Sequence, residues 1–320
     1  MSGEVSFSAL QPDLPFGSRV HGITREMLAD EKVRARIWRE FEDRGVLVFE
    51  DIEQSSAMQL ALSTVFGPLK DHPVAEVARA EEGLAEGIID LHSGPDFDLT
   101  ILEIDGRERH AWLPWHFDHA YNNELNRAGV LRPVVIAPED GMTCFADGIA
   151  LFNSLPERLR NEAGRLNVLY SLHTLVVNMK YGRPRGFVEL HTSDAEKAMI
   201  AQQPRWKRSI HPAVWTRPTG EKVLHVSLLH ADGIEGREDS AGDALLEEIC
   251  QAINANAQAY SHQWREGTML VWDNWRVLHA VTGTDPKYPR RLFRTTIQGD
   301  YGLGRFEGEA KQAAFAGTQG

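Results

Sequence analysis

The chain predicts a mainly β fold: a double-stranded β-helix (jelly-roll) core with flanking helices and a lid insertion. Three observations carry that expectation. From about residue 99 onward, short apolar runs rich in β-branched and aromatic residues alternate with turn residues. Helical periodicity is confined to a few separate segments. The 320 residues suffice for one large barrel with a sizeable core, and they contain no internal repeat or low-complexity tract.

The elements follow in order. Leu28, Val33, Ile37, Trp38 and Phe41 recur at helical spacing with charges between them, so 27–44 is expected as a helix that Gly45 ends. Val46-Leu47-Val48-Phe49 reads as a short buried strand. Ser55 opens a second helix to about Phe66, stopped by Gly67-Pro68. Strands are expected at 99–104, 130–136, 143–145, 222–227, 268–272, 277–281 and 292–297, and helices at 156–163, 193–202 and 242–263. Residues 170–215 hold few periodic signals but contain Gly182, Pro184 and Gly186. They are expected to form an insertion between barrel strands, a common place for a lid. The Gly- and Ala-rich stretch 302–320 is expected to fray, and 1–320 to form one domain.

Bulk properties exclude several classes. Hydrophobic content of 42% and charged content of 25% are those of a soluble globular protein. The formal net charge of -12 argues against nucleic acid as a partner. No apolar run is long enough to span a membrane. Met1 to Leu14 includes Glu4 and Asp13 and lacks a continuous apolar stretch, so no signal peptide is expected. Cys144 and Cys250 do not make a disulfide framework, and the pair suits a reducing cytoplasm.

The chemistry centres on His116-Phe117-Asp118. Side chains alternate along an extended strand, so His116 and Asp118 share a face and can reach one metal ion. His-x-Asp is common by chance, and His230-Ala231-Asp232 is a second copy, read as a polar turn leading into Gly233 and Gly236. Aromatic neighbours that would dry and shape a site favour the first copy, as does His279. That histidine follows a strand, a polar turn and a second strand, which deliver it to the interior. Two histidines and a carboxylate occupy one face of a metal and leave the other open, as in non-haem Fe(II) oxygenases. Arg290 and Arg294 share a face of the strand after His279. Arginines among Leu292, Phe293 and Ile297 call for an anionic partner.

These residues resemble the Fe(II)/2-oxoglutarate-dependent dioxygenases of the taurine dioxygenase and 2,4-dichlorophenoxyacetate dioxygenase type (the TauD/TfdA family). The likeness covers most of the chain. It runs through 41–49, Phe66-Gly67-Pro68-Leu69, His72-Pro73, Trp115-His116-Phe117-Asp118 and Gly141-Met142-Thr143. It continues in Trp272-Asp273-Asn274, His279, Arg290 and 294–300. The resemblance implies His116, Asp118 and His279 as catalytic iron ligands, with Thr143 and Arg290 holding the distal carboxylate of 2-oxoglutarate. It implies O2 as the oxidant and Arg294 as the grip on an acidic group of the prime substrate. His72 falls where the taurine enzyme has a substrate-contacting histidine.

Departures from that pattern suggest a different substrate. Trp112 stands where the taurine enzyme has asparagine, and Ala75 where it has a tyrosine. Phe117 replaces a small hydroxyl residue, and Trp275 replaces a frequent arginine. Polar groups are lost and rings gained, so Trp112 and Phe117 are expected to shape a pocket for a larger or aromatic, carboxylate-bearing molecule. The expected reaction is 2-oxoglutarate-coupled hydroxylation, or cleavage triggered by hydroxylation. A dimer or tetramer is implied by the likeness. Two other readings use the same residues: a His/Asp/His zinc hydrolase, and a non-catalytic jelly-roll binding protein. The hydrolase does not require Thr143 or the arginine pair, and a binding protein would not need an open metal face.

Overall fold

The structure is a computed structural model that describes residues 4–70, 87–172, 176–202 and 206–310. Its first part holds β1 (Ser6–Ala9), β2 (Ser18–His21), α1 (Glu31–Arg44), β3 (Val46–Phe49) and α2 (Ser56–Ser63). Next come β4 (Ile88–Ser93), β5 (Ile101–Ile104), β6 (Arg107–His116), β7 (Ala128–Val135) and β8 (Thr143–Asp147). The helices α3 (Gly148–Ser154) and α4 (Glu157–Ala163) lead to β9 (Asn167–Tyr170), β10 (Val188–His191) and α5 (Asp194–Gln202). Four short strands follow: β11 (Ser209–Pro212), β12 (Val214–Thr216), β13 (Lys222–Leu224) and β14 (Ala231–Ile234). The last part holds α6 (Ser240–Asn256), β15 (Tyr260–His262), β16 (Met269–Asp273), β17 (Val277–Thr284), β18 (Arg290–Ile297) and β19 (Arg305–Phe306).

Two sheets face each other as a jelly roll. One runs β1-β2-β3-β16-β7-β18-β4 and the other β10-β5-β6-β17-β8-β15. Val46, Val48, Leu131, Leu270 and Trp272 from the first meet Phe145, Tyr260 and Val277 from the second. On the outer face of the first sheet, Leu47, Phe49, Val130 and Val271 pack against Ile37 and Phe41 of α1 and Met58 and Leu62 of α2. Both faces of β3 are therefore covered, which is why its four residues are all apolar and buried.

Local chemistry sets the boundaries. The expected first helix is split. Glu26–Ala29 forms a separate 3-10 turn, and the Asp30 carboxylate then caps α1 by accepting the Lys32 N–H at 2.8 Å. Gly45 ends α1 at φ 75, a left-handed conformation that favours glycine. The last expected helix stops at Asn256, because Tyr260–His262 pairs with β8 as a strand.

Residues 170–215 are distributed over several sheets. Tyr170 closes β9, which pairs with β11 and β14, while β10 joins the second sheet through β5. Order continues past residue 302, since β19 pairs with β11. Residues 311–320 lie outside the described residues. Among the described residues, no helix is long and apolar enough to cross a membrane.

Candidate metal centre and co-substrate pocket

β6 and β17 are antiparallel neighbours, and His116 and His279 are direct partners in their ladder. Their ring centroids are 4.0 Å apart. Asp118 lies just beyond the end of β6. The ligand atoms of His116, Asp118 and His279 all fall within 4.8 Å of one another, and all three residues are buried. The His116 Nδ1 lies 2.8 Å from the Pro114 carbonyl. Donating there fixes the proton on Nδ1 and leaves the Nε2 lone pair for a metal. The His279 Nε2 is 3.5 Å from Asp118 Oδ1, while Arg294 Nη2 donates to Asp118 Oδ2 at 2.6 Å.

Electrostatics agree with a cation site. Burial, followed by the nearby His279, pushes His116 well below its ordinary range, so it is a neutral donor. Burial opposes ionisation of Asp118, but the Arg294 guanidinium and then His279 outweigh it and hold the carboxyl well below the usual range. Two imidazoles and one carboxylate on one side fit an Fe(II) ion with open positions opposite.

Arg290 is the second notable group. It is buried, and burial alone pushes its guanidinium down to about 10. Among the described residues its one hydrogen bond goes to the Gly141 carbonyl, at 3.3 Å. A buried cation without an anion is costly, so a carboxylate ligand is the expected complement. Gly141 makes room for it: at φ +66, an added Cβ would sit 2.8 Å from Thr284 and 3.2 Å from Arg290 Nε. Thr143 is buried and pairs directly across from His262. Its hydroxyl accepts the Trp264 indole N–H at 3.3 Å, which leaves the hydroxyl proton for a ligand. His262 Nε2, Thr284 Oγ1, Trp272 Nε1, His279 Nδ1 and Arg294 Nε are buried without hydrogen-bond partners. Such a concentration of unmet polar atoms between the two sheets marks a ligand space.

Two expected pocket residues are not brought to this centre. Phe117 points away from His116 and Asp118 and stacks on His225 at 3.8 Å, in the core beneath. Alternation along the chain requires that orientation. Trp112 pairs with Thr282 and meets Phe187 edge-on at 5.9 Å. It lines a separate groove of about 580 Å³ with Arg183 and with Gln251 and Asn254 of α6. His72 lies outside the described residues.

The second His-x-Asp is a turn only at its first residue: His230 closes the turn 228–230, and Ala231 and Asp232 enter strand β14, where Asp232 is paired with Lys180 and Ser171. His230, however, lies close enough to His116 to disfavour its protonation, and its ring meets Tyr121 edge-on at 5.2 Å. Burial and then the Asp118 charge push the Tyr121 phenol far up, so it stays an O–H donor beside the centre. Tyr121, His262 and Trp264 lie around this space and were not singled out by spacing, whereas His230 stands in the second His-x-Asp and Asn274 in the quoted Trp272-Asp273-Asn274.

Comparison with known proteins came to the same region of chemistry. The family described as "Taurine catabolism dioxygenase TauD, TfdA family" matches residues 6–296. The alpha-ketoglutarate-dependent 2,4-dichlorophenoxyacetate dioxygenase of Cupriavidus pinatubonensis is 30% identical over 281 residues, covering 86% of this chain and 92% of that protein. The (S)-phenoxypropionate/alpha-ketoglutarate-dioxygenase of Sphingobium herbicidovorans is 26% identical over 298 residues, covering 92% and 96%. The crystal structure of a taurine dioxygenase from Burkholderia xenovorans superposes with a TM-score of 0.70 at 21% identity, covering 96% of this chain and 95% of that one.

Proposed function

The chain belongs to the TauD/TfdA family of dioxygenases, and from that premise we propose which residues do its work and what it oxidises. It is an Fe(II)- and 2-oxoglutarate-dependent dioxygenase that uses O2. When bound, the metal supplies the oxidising chemistry: 2-oxoglutarate is decarboxylated to succinate and carbon dioxide, and an oxygen atom is delivered to a substrate C–H bond.

His116, Asp118 and His279 hold the iron from one side. Arg290 and the Thr143 hydroxyl bind the distal carboxylate of 2-oxoglutarate, with His262 and Trp264 walling the same pocket. The observation that carries this reading is the buried Arg290 guanidinium, which among the described residues hydrogen-bonds the Gly141 carbonyl and makes no ion pair. A hydrolytic zinc site has no use for it.

The prime substrate is a small organic anion with an aromatic body, of the phenoxycarboxylate class. Arg294 receives its carboxylate through the unpartnered Nε, and Tyr121 donates a second hydrogen bond. Supporting this class are the rings of Trp272 and Tyr121 around the centre and the named substrates of the two relatives. Segments within 170–215 act as the lid. The working form is a homo-oligomer, a dimer or tetramer, in a reducing cytoplasm that keeps Cys144 and Cys250 as free thiols. Succinate formation with Fe(II), 2-oxoglutarate and a panel of phenoxycarboxylates, sulfonates and neutral aryl ethers tests the substrate class. Turnover is expected with the carboxylates. Turnover confined to sulfonates or neutral ethers would overturn it.

A further inference from the structure

β6 ends at His116, so Asp118 lies beyond the ladder that pairs His116 with His279. Its backbone groups are buried and still need partners. The Asn274 side chain supplies both. Its Oδ1 accepts the Asp118 N–H at 2.8 Å, and its Nδ2 donates to the Asp118 carbonyl at 3.1 Å. The same Nδ2 also reaches the Asn126 carbonyl at 3.2 Å and Asn126 Oδ1 at 3.1 Å. Asn274 is completely buried.

Its own backbone is fixed as firmly. The Asn274 N–H donates to the Arg127 carbonyl at 3.1 Å, and its carbonyl accepts from His225 Nε2 at 2.9 Å. The turn that carries it is anchored at both ends by buried ion pairs, Asp273 with Arg127 and Arg276 with Asp147. β17 leaves this turn and carries His279.

We propose that Asn274 is a positioning residue for the metal centre: its amide stands in for the missing strand partner and registers Asp118 against His279. One anchored turn then sets the relative placement of two ligands that are far apart in sequence. Only an amide of this length offers an acceptor and a donor to the two backbone groups at once. Aspartate lacks the donor, and alanine leaves both Asp118 groups unmet in a buried place. The inference rests on reading His116, Asp118 and His279 as metal ligands.

Co(II) titration of the metal-free full chain, read by the visible bands of the bound ion, tests it without turnover. In Asn274→Ala and Asn274→Asp the Co(II) Kd is expected to rise about tenfold to a hundredfold, the range for lost support of a metal ligand. Their spectra are expected to move toward that of Asp118→Ala. Trp215→Phe removes an indole N–H donated to the Trp275 carbonyl at 2.8 Å in the same turn, yet touches neither Asp118 group. It is expected to keep the wild-type affinity and spectrum. Circular dichroism of the metal-free proteins identifies the folded variants, and the near-isosteric Asn274→Asp is read if Asn274→Ala does not fold. Wild-type Kd and spectrum in a folded Asn274 variant would overturn the inference. Unchanged Co(II) binding in Asp118→Ala and His279→Ala would instead overturn the ligand reading beneath it.

Discussion

Arg290 and Arg294 lie on the same strand and face the same interior, yet they have different partners. Among the described residues Arg290 has no carboxylate partner, whereas Arg294 is paired with Asp118. Arg290→Ala is expected to raise the 2-oxoglutarate requirement with little effect on the prime substrate. The loss of a charge-assisted bond, about 1.5–3 kcal/mol, corresponds to roughly tenfold to a hundredfold. Arg294→Ala is expected to weaken an anionic substrate by a similar factor and a neutral analogue far less. Steady-state KM values for both substrates check the pair, and an exchange of the two phenotypes would reverse the assignments. At this scale the sequence was informative where a residue type and a spacing coincide, as for His116, Asp118 and His279, which the fold brings together. Phe117 was expected in the pocket but lies in the core; the same alternation that turns His116 and Asp118 inward turns Phe117 outward and could have corrected that expectation. Trp112 was not legible. Ala111 adopts φ 54 and the β6–β17 register shifts between His279 and Val281, so counting back along the strand fails. Tyr121 and His230 come from outside the ligand strands, where no periodicity points at the centre.

Among the elements, the contact between β7 and β16 bears most directly on the site. Trp272 and Gly129 are direct cross-strand partners, and a Cβ on Gly129 would lie 2.2 Å from the indole ring. The same ring lies 5.1 Å from the His279 ring and 5.4 Å from the Arg294 guanidinium. Gly129→Ala is therefore expected to overpack the interior by about 1–3 kcal/mol and to displace Trp272 toward the metal ligands. Urea unfolding combined with metal affinity checks both effects. Loss of neither stability nor affinity would mean the ring moves without cost. Most helices and several strands were readable from apolar spacing, caps and Gly45, but α3 and the ten-residue β6, which is mixed in polarity, were not. The short strands β9, β11, β14 and β15 were not, because they exist through pairing with distant partners rather than through their own periodicity.

For the whole molecule, buried neutral histidines tie stability to pH. Burial pushes His211 down to about 4 and His225 down to about 3. Their unfolded values are about 6.5, so the unfolded chain binds more protons at mildly acidic pH. The stabilisation is complete above about 6.5 and is lost as pH falls from there toward 4, at about 1.4 kcal/mol per pH unit for each histidine. Urea midpoints measured across that window are expected to fall steeply, and His211→Gln is expected to reduce the slope by about one proton. A flat profile would contradict the burial argument. The jelly-roll core was legible from composition and strand spacing. Its two sheets bring β6, β17, β8 and β18 together, and that convergence turns dispersed residues into one centre. The central claim is that His116, Asp118, His279 and Arg290 form an iron and 2-oxoglutarate site. Anaerobic addition of Fe(II) and 2-oxoglutarate to the metal-free protein tests it most directly. A visible iron-to-2-oxoglutarate charge-transfer band is expected in the wild type, lost in Asp118→Ala and His279→Ala, and requiring far more 2-oxoglutarate in Arg290→Ala. Absence of the band in the wild type, or its persistence in the ligand variants, would contradict the account.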